Sequence, residues 1–150
     1  MSALRSFGFA VAALATPTLV SAQYVVDKDA ENCLFAEVPS EVIDSCSRVI
    51  TAGNPGKQGV ARMYRGKSYL RLTDYRAAAE DFEVVLKTNP KLAFALYGHG
   101  VAQLHLGKVA NGKAEIVRAI VNQPDISDQF AEFGIPAPAF LKGLKQAKSR

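Results

Sequence analysis

Glycine and proline recur in this chain at a fixed interval, and that interval restricts the fold more than any other feature. The step from Gly66 to Gly100 equals the step from Pro90 to Pro124. Between these breakers the apolar residues keep a helical period. Ala78, Phe82, Val85 and Leu86 fall at i, i+4, i+7 and i+8, while Arg76, Glu80, Asp81, Glu83 and Lys87 fall largely elsewhere, which is one apolar stripe on a helix. The preceding stretch, residues 59–72, brings Met63, Gly66, Tyr69 and Leu70 to one side. A glycine inside a helix costs roughly 1 kcal/mol against alanine, so Gly66 is expected where another helix comes close. Asn89 and Pro90 stop the second helix, because proline lacks the N–H and disfavours α geometry in the residue before it. A two-helix unit repeated at this spacing is the sign of a stacked helical array, in which no unit buries its apolar face alone.

With Pro90 taken as the last position of a unit, Gly66, Tyr69, Ala78, Phe82 and Pro90 occupy the signature positions of the tetratricopeptide repeat, with Tyr75 opening the second helix. The chain thus resembles the tetratricopeptide family, in the manner of its small exported bacterial members. The next unit, residues 93–126, is looser: Leu96, Gly100, Gly107, Ile116, Ala119 and Pro124 fit, whereas Gln103 replaces an aromatic and Gly112 an alanine. Thr73 stands where members usually have glycine, as Gly107 does one unit later. The resemblance implies an all-α fold, a short right-handed α-solenoid of about three antiparallel helical hairpins (27–54, 58–90 and 91–124) with a C-terminal cap over 126–148. In that cap Phe130, Phe133, Phe140, Leu141 and Leu144 form the inner face, and Lys142, Lys145 and Lys148 the solvated one.

Residues 1–22 carry Arg5, an apolar run from Phe7 to Ala15, a breaker at Pro17 and the small-residue end Val20-Ser21-Ala22. This is the pattern of a secretory signal peptide cleaved after Ala22, and the run is shorter than the roughly 18 to 20 residues that span a bilayer. The expected product is periplasmic or secreted, without a transmembrane anchor. Its formal charge falls from +4 to +3 with the loss of Arg5, and its charges are interspersed, so nucleic-acid binding is not expected.

Cys33 and Cys46 flank a break at Val38-Pro39, in a first hairpin read as helices over 29–37 and 40–52, capped by Ser40 and closed by Gly53-Asn54-Pro55-Gly56. Aligning Val42, Cys46 and Val49 with Ala78, Phe82 and Val85 places Cys33 at the position of Tyr69, across the hairpin from Cys46. In an exported protein a bridge stapling this hairpin is expected, with two buried free thiols as the alternative. The spacing lacks the C-x-x-C of redox or zinc sites, and His99 and His105 are off the i, i+4 spacing of two ligands on one face, so neither a metal nor a cofactor is expected.

No phosphate loop, nucleophile elbow or His-Glu-x-x-His motif is present, and the expectation is a non-catalytic protein. The resemblance implies a concave groove, lined by the first helix of each unit, that takes a peptide or protein partner. Carried over by position, its residues are Met63, Lys67, Leu70 and Arg71, followed by Phe94, Tyr97, Val101, Leu104 and His105. Lys67 and Arg71 lie i, i+4 on one helical face, a spacing suited to a carboxylate, or else to a plain solvated surface. The competing function is a structural accessory that meets anionic envelope material through its basic surface, and self-association through an uncapped end is open as well. Arg62 and Arg65 fall where apolar residues are usual, and an ion pair with Asp81 is the expected reason.

Overall fold

The computed structural model of the chain describes residues 28–142. The signal-peptide reading, and Leu144, Lys145 and Lys148 of the cap, lie outside the described residues. Seven helices follow one another: α1 (28–35), α2 (Pro39–Thr51), α3 (Pro55–Arg71), α4 (Tyr75–Thr88), α5 (Ala93–His105), α6 (Val109–Asn122) and α7 (Ile126–Glu132). A further helical turn opens at residue 140. Among the described residues there is no strand. From α2 to α6 each helix packs on its successor, α3 also touches α5, and α7 lies against α5 and α6.

Two helix starts differ from expectation. Helix α2 begins at Pro39, not after a Ser40 cap: Val38 is the N-cap and offers no side-chain hydrogen bond. Proline at the first position has its φ already set and no N–H to leave orphaned. Helix α3 begins at Pro55, a full turn ahead of Gly59, because the Asn54 side chain accepts from the Gly56 N–H at 3.0 Å and Pro55 follows directly. Half of the stretch read as a closing loop is therefore the first turn of α3.

The turn after α3 recurs after α5 with the same hydrogen bonds. Thr73 N–H donates to the Leu70 carbonyl at 3.1 Å and Asp74 N–H to the Tyr69 carbonyl at 2.9 Å; one period later, Gly107 and Lys108 do the same to Leu104 and Gln103 at 3.1 and 2.9 Å. This closure needs a left-handed residue after the helix. Gly107 supplies it at φ 82°, but Thr73 must adopt φ 60° with a branched Cβ. Thr73→Gly is expected to raise stability by about 1 kcal/mol, and Gly107→Thr to lower it by a similar amount. Thermal melts of the two variants check this, and a fall in melting temperature for Thr73→Gly would refute it.

The main core runs from α3 to α7 around Phe82, Leu96, Tyr97, Ile116, Ile126 and Phe130. Phe82 lies in a slot between glycines of two helices: a Cβ on Gly98 would stand 2.4 Å from its ring, and one on Gly66 3.0 Å. Gly66 thus has the packing reason expected of it. Gly112 has a comparable reason, since a Cβ on it would lie 2.6 Å from the Gly100 carbonyl oxygen where α5 and α6 cross. A second, smaller cluster of Cys33, Val42, Cys46, Val49 and Ala61 joins α1, α2 and α3, and Cys33 and Cys46 are bonded within it. Between α3 and α4, Asp81 is buried and receives Arg65 through Nε and Nη2, both at 2.7 Å, and Arg62 through Nη1 at 3.0 Å. The expected ion pair is present, with both arginines on one carboxylate.

Candidate functional site

Helix α3 places Lys67 and Arg71 one turn apart, and the fold brings two distant segments to them. Arg71 Nη1 donates to the Glu37 backbone carbonyl at 3.0 Å, just past the end of α1. Lys67 Nζ stands 4.0 Å from the Phe133 ring centroid, at the end of α7, and 4.5 Å from that of Tyr64. Between these walls opens a cleft of about 500 Å³, lined by Ala36, Glu37, Lys67, Arg71, Glu132, Phe133 and Gly134.

Burial, reinforced by the nearby Arg71 charge, lowers the Lys67 pKa from its ordinary value. The two rings attract the ammonium through their π faces, an interaction worth roughly 0.5 to 2 kcal/mol depending on desolvation. Among the described residues no carboxylate pairs with Lys67. An anion entering the cleft would meet a half-dehydrated cation and the remaining donors of Arg71, and would push the Lys67 pKa back up. Glu37 and Glu132 on the rim disfavour a second negative charge beside the first. The arrangement suits one carboxylate next to neutral or basic groups.

The other groove residues carried over by resemblance are placed differently. Leu70, Tyr97 and Val101 are buried in the core, and Met63 and Leu104 are half-buried against it. Phe94 is covered from α7: its ring lies 4.7 Å from Phe130 and 6.5 Å from Phe133, and Phe130 also packs at 4.7 Å on Tyr97. His105 is exposed, apart from the cleft, and stacks on Tyr75 of α4 at 4.0 Å with the rings parallel. Of the expected groove positions only Lys67 and Arg71 line the cleft. The apolar floor expected for a partner is taken by the chain's own α7.

Sequence reasoning missed Ala36, Glu37, Glu132 and Gly134, and read Phe133 only as cap core. Ala36 and Glu37 fall in the least regular of the expected hairpins and Glu132, Phe133 and Gly134 beyond the last of them, so no periodic signal marks them. A smaller recess of about 220 Å³ beside the disulfide is lined mainly by Ala30, Cys33, Leu34, Val49, Val60 and Ala61, with Lys57 as its one charged lining residue among the described residues.

Both nitrogens of His99 are occupied, Nδ1 by Glu115 at 2.7 Å and Nε2 by the Gln103 amide at 3.0 Å. Gln103 is buried beside the polar His99. Among the described residues no group of three metal-ligating side chains gathers, and no helix is long and apolar enough to cross a membrane. No protein-family model, no curated protein and no solved structure matches this chain.

Proposed function

We propose that this chain is a non-catalytic adaptor of the bacterial periplasm, a short tetratricopeptide-like solenoid of antiparallel hairpins that docks a partner protein or peptide by a carboxylate at Lys67 and Arg71. One observation carries the reading: Lys67 is a partly dehydrated cation with no carboxylate paired to it among the described residues, at the wall of a cleft that also holds Arg71. The return of the same turn geometry one period later supports the solenoid, and the disulfide fits an oxidising compartment. With both His99 nitrogens engaged and His105 stacked on Tyr75, neither histidine is poised as a general base, which favours binding over chemistry.

The test is capture of partners from envelope extract by the purified protein beside a Lys67→Ala/Arg71→Ala variant, at low and moderate salt. A partner lost in the variant and kept at moderate salt is expected. The partner's contacting peptide should bind about tenfold more tightly with a free carboxylate than as its amide, the scale of a charge-assisted hydrogen-bond pair. Binding indifferent to both changes would remove the cleft from the function. Binding that disappears with salt alone would favour the anionic-surface reading instead, because exposed charges are screened.

A further inference from the structure

Two stretches of the described chain differ in charge, and each exposes apolar side chains beside that charge. Residues 28–54 hold five acids against two bases, a net charge of −3, and residues 91–122 hold four bases against Glu115, a net charge of +3. On the acidic part Phe35 is 76 % exposed and Val38 48 %, with Glu31 one helical turn before Phe35. On the basic part Val121 is 75 % exposed and Val117 41 %, one turn apart on α6. These valines, with Lys91, Arg118 and Asn122, line a groove of about 250 Å³. Its edge is fixed by two hydrogen bonds from α6 to the α4–α5 linker, Arg118 Nη2 to the Pro90 carbonyl at 3.3 Å and Asn122 Nδ2 to the Lys91 carbonyl at 2.8 Å.

We propose that the occupant of this groove is a second copy of the chain, which inserts Phe35 between Val117 and Val121 and sets Glu31 and its neighbouring acids against Lys91 and Arg118. The size fits, since an apolar cavity of about 150 Å³ already accepts benzene. The sign of the charge favours this partner, because opposite patches steer association and like patches would oppose a symmetric contact of either face with itself. A single aromatic in a pocket ringed by polar groups has the form of an interface hot spot. The two patches are different surfaces, so the contact is heterologous and head-to-tail: each copy keeps a free groove at one end and a free Phe35 at the other. Phe35 does not line the Lys67 cleft, and the inference stands or falls apart from the function proposed there.

Sedimentation velocity of the purified protein from micromolar to millimolar concentration tests it. Wild type should show concentration-dependent growth beyond the dimer, weakened by added salt. Phe35→Ser, which lacks the inserted ring, and Val121→Asp, which lacks the receiving groove, should each associate at least about tenfold more weakly alone. Mixed in equal amounts, the two variants retain one intact groove and one intact ring between them, and should form a dimer that grows no further. Arg118→Glu should reproduce Val121→Asp, and a further Glu31→Arg change in that chain should restore association. Circular dichroism melts confirm that these exposed positions leave the fold intact. A wild type that stays monomeric throughout, or a variant mixture that stays monomeric or grows past the dimer, would overturn the proposal.

Discussion

Replacing Asp81 by alanine is expected to lower the unfolding free energy by about 3 to 5 kcal/mol, the range for removing one partner of a buried charge cluster. The carboxylate is 2 % exposed and accepts three hydrogen bonds from two guanidinium groups, both mostly buried. Its removal leaves Arg62 and Arg65 facing each other across the α3–α4 contact with nothing to neutralise them. Arg65 donates also to Ser47 Oγ at 2.9 Å, so a displaced Arg65 would disturb α2 as well. Arg65→Ala should cost less, because Asp81 then keeps Arg62. Asp81→Asn should fall between, since it keeps the shape and loses the charge. Urea titrations of the three variants check the order, and an Asp81→Ala cost under about 1 kcal/mol would mean that the arginines relax into water at little expense.

The parts of the fold that a local pattern dictates were legible in the sequence. The stripe of Ala78, Phe82 and Val85, the breakers at Pro90 and Pro124, and the pairing of Arg65 with Asp81 follow from periodicity and from the cost of an unpaired buried charge. Cys33 and Cys46 could be paired because only two cysteines exist. Helix starts were less legible, because Asn54-Pro55-Gly56 reads as a loop by composition while the Asn54 cap and the fixed φ of Pro55 make it a helix entry. The cleft was legible only through Lys67 and Arg71, which share a helix. Glu37 and Phe133 are both remote from Lys67 in sequence, so their meeting depends on where α1 ends and how α7 packs. The same packing buries Tyr97 and covers part of Phe94. Repeat register says which face of a helix turns inward, not whether the chain's own next helix already lies on it.

Opening the Cys33–Cys46 bridge should destabilise the protein by about 3 kcal/mol and lower its melting temperature by about 10 °C, because the bond closes a loop between residues 13 apart in the unfolded chain. The loss should be uneven. Helix α1, spanning 28–35, is too short to persist alone, and its other ties are the Arg48–Asp29 ion pair at 2.8 Å and the Arg71 contact with the Glu37 carbonyl. The cluster around the bridge is small, whereas the α3–α7 core does not include it. Amide exchange should therefore accelerate first in α1 and α2, while α4 to α6 stay protected. One wall of the Lys67 cleft is formed by Ala36 and Glu37, so the carboxylate binding proposed for that cleft should weaken along with α1 even where most of the protein remains folded. The measurement is a melt and an exchange experiment on the Cys33→Ala/Cys46→Ala variant beside the reduced wild type, with the open bridge confirmed by mass. An unchanged melting curve, or protection lost uniformly across all helices, would show that the bridge does not act as a staple between α1 and α2.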